Sequence, residues 1–336
     1  MALVDHEMRI LEAFAQNSRT TRECLAEGLR WDPDAVGRAF RYSYEERVTL
    51  HAWNGDAFRP IAVTLSDMFQ RDEYIDDASI WEGIVQSDLC DAFTETMYRD
   101  DFFDEDEELF TAVYEGYAGI ILGASDRSLQ DYITLSTRSE NLWQYLWEHR
   151  NRLTASGDTV LRGVACLIGA STCASQHRES PIIPTYLPYV GIHLFVYVED
   201  SGENMLQLLD PFLMIYAEDD EEDDGDASDA FIRTFQEAVM DDLEGNLFFT
   251  RLNMVMETQA LSFLRGGDNA ECGLRKIAGL RSCLDTLLLL TSVPNIFPVL
   301  ESRDCLPNVL RLAGTLHSRM PSNFYRPILC FLWQVL

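Results

Sequence analysis

The stretch YAEDDEEDDGDASDAF, residues 216–231, is the part of the sequence whose side chains could most readily hold a metal ion. Calcium prefers carboxylate oxygens, and an EF-hand loop ends on a bidentate glutamate six positions after its glycine. If Gly225 is that glycine, the acids before it fit, but the final ligand position falls on Phe231, which cannot bind calcium. We therefore expect no selective calcium site in this run.

Two other interpretations of the acidic run remain open. Adjacent like charges repel and keep a segment extended, which indicates a solvated loop over residues 217–229 between two helices. The same charges could instead form a docking strip for a basic peptide. The candidate partner-binding residues in this strip are Asp219, Asp220, Glu221, Glu222, Asp223 and Asp224.

A second set of potential ligands, Cys166, Cys173 and His177, falls on one face if a single helix covers all three. One helix cannot wrap three ligands around a tetrahedral zinc ion, so buried cysteines explain the pattern better. The signatures GxGxxG, GxxxxGK[ST], GxSxG and HExxH do not occur. We therefore predict no metal, no cofactor and no catalytic residue, and the alternative is an all-α enzyme whose motif is not recognised.

The net charge of −30 decides which partners are electrostatically favoured. Nucleic acids are bound largely through cationic side chains, so DNA, RNA and anionic membranes are poor partners. A protein or a basic peptide is the favoured one. The 26 basic residues include a single lysine, Lys276, and lysine is the residue that accepts ubiquitin. Codon bias in a GC-rich genome or a high-salt proteome would also explain this composition, and a lysine-poor accessory of the ubiquitin system is another hypothesis. With no signal peptide or membrane span in view, we expect a cytoplasmic or nuclear location.

Helical periodicity dominates the elements that would carry these residues. Capping-box patterns at Thr20–Glu23, Ser79–Glu82 and Thr137–Glu140 predict helix starts, and Asp32-Pro33 predicts a break followed by a new helix. The segment YVGIHLFVYV is rich in strand-forming residues, but its helical neighbours favour a helix. Residues 47–65 differ, because β-prone residues flank Asn54-Gly55 and indicate a short β-hairpin or an extended loop.

The stretch VPNIFPVLESRDCLPNVLRLAGTL, residues 293–316, combines a proline-containing start, an apolar PVL, a polar turn and a second apolar helix. It resembles the paired helices of an armadillo or HEAT repeat. The resemblance implies an all-α fold with an irregular helical repeat array over 105–336, preceded by an N-terminal helical region over 1–104. Such arrays present a long groove for extended peptides or helices. We therefore predict a non-enzymatic protein-binding scaffold.

Aromatic residues supply the remaining candidate contacts. Trp143 and Trp147 lie one helical turn apart and could form a ledge for a peptide, although a core stripe is more common at this spacing. Phe331 and Trp333 belong to an apolar C-terminal helix, which we expect to leave an aromatic side chain partly exposed. That exposure would allow self-association through the C-terminal helix.

Overall fold

The chain is all-α, and no strand occurs among the residues that the structure, a computed structural model, describes. Those residues are 19–45, 58–71, 75, 77–98, 107–155, 158–175, 182, 184–198, 208–211, 213, 226–240, 245–265, 270–293, 296–316, 330 and 333. Internal contacts divide the chain into two compact units, residues 1–177 with 182–184 and residues 178–181 with 185–336.

The first unit contains nine of the described helices. They are α1 (Arg19–Trp31), α2 (Pro33–Glu45), α3 (Phe58–Phe69), α4 (Ala78–Gln86), α5 (Asp88–Met97), α6 (Glu107–Ser125), α7 (Leu129–Glu148), α8 (Arg150–Ala155) and α9 (Asp158–Ser175). Helices from both sides of residue 104, the boundary expected from the sequence, pack together in this unit, since α6 contacts α3, α4 and α5.

The second unit contains the other described helices. They are α10 (Leu187–Tyr197), α11 (Asp226–Met240), α12 (Gly245–Arg265), α13 (Ala270–Leu290), α14 (Ile296–Ser302) and α15 (Cys305–Leu316). Helix α12 packs against α10, α11, α13 and α15. The buried rings of Phe195 and Phe248, 5.3 Å apart between centroids, join α10 to α12.

Small polar side chains set where the helices of the first unit begin. The Asp32 carboxylate accepts a hydrogen bond from the backbone N–H of Ala35 at 3.0 Å, so it caps α2, whose first residue is the predicted Pro33. Ser87 caps α5 by accepting from the N–H of Leu89. The Asp34 carboxylate accepts from the N–H of Asp88 at 2.8 Å, so a residue of α2 also satisfies the start of α5.

Helix α6 is the centre of the first unit because three of its glycines allow bulky neighbours to approach its backbone. A Cβ atom at Gly119 would lie 2.8 Å from the Cβ of Phe69, and one at Gly116 would lie 2.8 Å from the Phe93 ring. Gly123 lies against the ring of Trp81 in the same way. These contacts leave no room for a side chain, so α6 is held closely by α3, α4 and α5.

Hydrogen bonds between residues distant in the sequence span similar separations in both units. With the exception of the Tyr117–Ser139 pair, those found among the described residues join positions 43 to 56 apart. In the first unit, Arg41 of α2 donates to Glu95 of α5 across such a separation. In the second unit, Asn308 of α15 donates to Asn253 of α12. Some helices of each unit therefore meet a helix about 50 residues further along, whereas others, such as α12 and α13, pack on the next helix in the chain.

Three sequence-based expectations about local structure are confirmed. The YVGIHLFVYV segment is helical, since α10 covers most of it. The break at Asp32-Pro33 separates α1 from α2. The stretch at 293–316 forms two helices, α14 and α15, joined by a two-residue turn at Arg303 and Asp304.

Other local expectations are wrong. Residues 58–65 are helical rather than part of a hairpin or extended loop, because the apolar side chains of α3 recur at helical spacing and are buried; residues 46–57 lie outside the described part. Asp77, not Ser79, caps α4 by accepting from the Ser79 N–H at 2.9 Å. Thr137 lies inside α7, which begins after its cap at Ser128. The expected loop over 217–229 ends earlier, because α11 begins at Asp226.

Candidate functional site

A groove of about 580 Å³ opens in the second unit between α12 and α15, against the turn that joins α14 to α15. Thr250, Asn253, Met254 and Glu257 line it from α12, and the opposite wall comes from Ser302, Arg303, Asp304, Pro307, Asn308 and Arg311. Most of these side chains are polar or charged. This volume falls within the range of roughly 300–1,000 Å³ that ligand-binding clefts have.

The turn at one side of the groove has an unusual backbone. Asp304 has φ of 59°, and it is the one non-glycine residue with positive φ among those described. Aspartate tolerates this left-handed conformation better than most residues. The turn is closed by the Asp304 N–H donating to the Glu301 carbonyl at 3.1 Å, and the Asn308 N–H donates to the Asp304 carbonyl at 3.0 Å. This geometry directs the Arg303 carbonyl towards α12.

Two asparagine side chains connect the walls of the groove. The Asn253 amide nitrogen donates to the Arg303 carbonyl oxygen at 2.7 Å, and the Asn308 amide nitrogen donates to the Asn253 amide oxygen at 3.2 Å. Arg311 then donates to the Asn308 amide oxygen at 2.7 Å and forms an ion pair with Glu257. This chain of bonds fixes the separation of α12 and α15 and leaves the groove between them open.

The thiol of Cys305 supports this network from the buried side. It accepts a hydrogen bond from the Asn253 amide nitrogen at 3.5 Å. Burial raises the pKa of Cys305 to about 12, so the thiol stays protonated at neutral pH. A protonated, buried thiol is a poor nucleophile, and Cys305 therefore acts as a structural partner of Asn253.

Helix α12 exposes an apolar side chain at every seventh position, and one of these, Met254, lines the groove. Leu247, Met254 and Leu261, seven residues apart, expose 44%, 41% and 48% of their surface, and the exposed Thr250 and Glu257 lie between them. Positions that alternate three and four residues apart form one seam of a helix, the kind that packs against another helix. The middle of this seam is the α12 wall of the groove. The site can therefore offer apolar contacts along the seam and hydrogen-bonding groups at its side.

The structure separates the aromatic residues proposed from the sequence. Trp143 is fully buried in the first unit and so presents no face to a peptide. Trp147 is half-buried, and the Arg150 guanidinium lies 4.1 Å from its ring centroid. Trp333 exposes 84% of its surface, whereas Phe331 lies outside the described residues. Self-association through the C-terminal helix stays a prediction.

The acidic candidates Asp219, Asp220, Glu221, Glu222, Asp223 and Asp224 all lie outside the described residues. Their docking role therefore also stays a prediction.

Across the described part of the chain, no three His, Cys, Asp or Glu side chains come close enough to hold a metal ion. Of the two cysteines that the sequence placed on one helix face, Cys173 has an exposed side chain. Burial raises the pKa of the other, Cys166, to about 11.

Sequence reasoning missed the α12–α15 groove entirely. A signal was present, because apolar residues at every seventh position of a helix whose other faces are also apolar indicate two packing faces. The Asn253–Asn308 pair had no such signal, since its members are 55 positions apart.

No helix in the described residues combines the length and the apolar character needed to cross a membrane.

Comparisons with known proteins do not add a relative. No protein-family model matches the sequence, and neither the curated proteins nor the solved structures give a significant match.

Proposed function

We propose that the protein is a non-enzymatic scaffold that binds other proteins on surfaces of stacked helices of the armadillo or HEAT type. The spacing of its inter-helix contacts supports the repeat architecture within each unit. In stacked helical repeats, each repeat contacts its neighbours, so contacts recur at the repeat length. The 43-to-56-residue spacing agrees with repeats of about 50 residues, somewhat longer than the usual ~40–47 residues of such repeats.

The observation that carries the binding role is the open groove between α12 and α15. The stripe on α12 leaves apolar surface uncovered, while Asn253, Asn308 and Arg311 link the groove walls by hydrogen bonds. Apolar surface flanked by polar groups is typical of protein-interaction sites. A partner segment in this groove would bury the stripe and find hydrogen-bonding groups beside it.

The charge of the chain favours a basic partner. With a net charge of −30, the field around the protein attracts cationic segments and repels nucleic acids and anionic lipid surfaces. Exposed charges are screened over roughly 8–10 Å at physiological ionic strength. Association with a basic segment should therefore be fast and salt-dependent.

A peptide panel tests this proposal on the full chain. Basic, neutral and acidic peptides of equal length are titrated against the protein, with affinity measured by fluorescence anisotropy at low and at high salt. We expect the basic peptides to bind most tightly and to lose affinity as salt rises. Binding to none of the peptides, or equal affinity for acidic and basic ones, would contradict the proposed function.

A further inference from the structure

The seam on α12 defines the shape of the segment that its groove accepts. Its exposed residues Leu247, Thr250, Met254, Glu257 and Leu261 are spaced alternately three and four apart. A rise of 1.5 Å per residue makes this seam about 21 Å long. A straight seam with this period matches the apolar stripe of a second helix lying along it, whereas an extended strand carries its side chains with a period of two.

The composition of the seam restricts that helix further. Leucine and methionine at every seventh position need apolar side chains opposite them, and methionine adapts to partners of varied shape. Leu310 on α15 is half-exposed and adds apolar surface on the other helix of the groove. The partner helix is therefore amphipathic, with a leucine-rich or similar stripe that faces the protein.

The flanking charge decides the polar face of the partner. Near the groove, Glu257, Glu301 and Asp304 are exposed, and Arg311 forms its ion pair with Glu257. Among the residues that line the groove, Glu257 and Asp304 balance Arg303 and Arg311, so the preference comes from Glu301 beside the groove and from the net charge of −30. A cationic polar face gains from both, and an anionic one is repelled by the field of the whole chain.

From the seam, the groove and the charge, we infer that the α12–α15 groove is the docking site for a basic amphipathic helix of a partner protein. This inference rests on the proposed scaffold function and names the partner's chemistry and the surface it uses. The bound helix covers Leu247, Met254 and Leu261 and sets its basic side chains beside the exposed Glu301 and Asp304.

The probe is a synthetic peptide of about 20 residues, roughly 30 Å long as a helix, with leucine at heptad positions a and d and arginine at e and g. One comparison peptide has the same composition in an order that scatters the leucines around the helix. Another keeps the leucine stripe and carries glutamate in place of arginine. Each is titrated against the full chain at low salt.

The groove is tested with the double variant Met254→Gln/Leu261→Gln. Glutamine is a good helix former, and both positions are exposed, so the fold should be retained. The matched control is Val63→Gln/Leu129→Gln, which changes two exposed apolar residues of the first unit, 45% and 58% accessible. Circular dichroism melting of each variant checks that it is folded.

We expect the striped basic peptide to bind about tenfold or more tightly than the scattered one, and the groove variant to lose about tenfold in affinity. The control variant should bind like the unaltered protein. If both basic peptides bind equally and the groove variant keeps its affinity, basic partners bind elsewhere: the docking inference is overturned and the scaffold proposal stands.

Other outcomes are equally decisive. Equal binding of the glutamate peptide overturns the basic partner. If no peptide binds but sedimentation shows self-association that Met254→Gln/Leu261→Gln abolishes, the occupant is a second copy of the chain, and the inference is wrong. If neither this panel nor the one above binds, the scaffold proposal fails as well.

Discussion

Two helix contacts, α2 with α5 in the first unit and α12 with α15 in the second, have nearly the same sequence spacing but opposite character. In the first, Gly37 lets α2 lie directly on the backbone at the start of α5, and the rings of Phe40 and Phe93 stack at 4.5 Å. In the second, Asn253 and Asn308 hold the helices through amide hydrogen bonds, and a groove stays open. The size of the residues at the contact decides whether two helices close together.

The two contacts also share a feature. An arginine and a glutamate 54 positions apart bridge each of them, Arg41 with Glu95 at 2.8 Å and Arg311 with Glu257. The similarity of these pairs shows that the interiors, and not the surface ion pairs, make the difference. We therefore expect substitutions in the closed contact to affect stability and substitutions in the open one to affect mainly binding.

The largest expected effect follows from removing a ring of the closed contact. Phe93 is fully buried, stacks on Phe40 and lies against Gly116 of α6. Phe93→Ala should lower the free energy of unfolding by about 3–5 kcal/mol, because it loses apolar burial and leaves a cavity. Urea denaturation followed by circular dichroism measures this. Phe297→Ala, at a partly exposed position of α14, is the control and should cost much less.

The close approach of α2 and α5 gives the next prediction. A methyl group at Gly37 would lie 2.5 Å from the carbonyl carbon of Asp88 and 2.7 Å from the Cα of Leu89, and a backbone cannot move aside as a side chain can. Gly37→Ala should therefore cost about 1–3 kcal/mol despite alanine's better helix propensity.

Gly169 in α9 provides the matched control, because nothing lies within 4 Å of an added Cβ there. Gly169→Ala should raise the free energy of unfolding by about 0.5–1 kcal/mol. Both values come from the same denaturation measurement. If Gly37→Ala were as stabilising as Gly169→Ala, the closed contact between α2 and α5 would be wrong.

The asparagine pair of the open contact should have a smaller effect that depends on its partner. Asn253→Leu removes the donor to the Arg303 carbonyl and the acceptor of the Asn308 amide, which should cost about 1–2 kcal/mol. Adding Asn308→Leu should cost little more, since both polar partners are then replaced. A double-mutant cycle that gives a coupling energy near zero would show that the two amides do not interact.

The smallest effects are expected for the ion pairs that both contacts share. Arg41 and Arg311 reach glutamates that are half-exposed, at 59% and 50%. Solvent screens such pairs, so Arg41→Gln and Arg311→Gln should each change the free energy of unfolding by less than about 1 kcal/mol. Thermal melts of each variant and of the unaltered protein, at low and at high salt, measure this change in stability. A loss of several kcal/mol in either variant would mean that the ion pair, and not the interior, holds that contact.

The amino-acid sequence by itself determined the elements in which information is local. Apolar periodicity placed the helices in the right stretches, and Asp32-Pro33 gave the start of α2 because proline suits a first helical position and aspartate suits a cap. Local reasoning failed where two local signals competed. At residues 58–65, β-prone residues around Asn54-Gly55 suggested a hairpin or an extended loop, but the buried side chains of α3 recur at helical spacing and pack against α6. Tertiary burial outweighs such weak strand preferences.

The tertiary structure alone decided what each surface offers. Trp143 and Trp147 are equivalent in the sequence pattern, but packing buries the first completely and leaves the second only half-buried. Asp34 helps to cap α5 by accepting from the N–H of Asp88, 54 positions further along the chain. The groove depends on a hydrogen bond between Asn253 and Asn308, which are 55 positions apart. The sequence shows which residues can form a helix face because that depends on neighbours three and four positions away. It cannot show which face stays open, because that depends on the shape of side chains that only folding brings together.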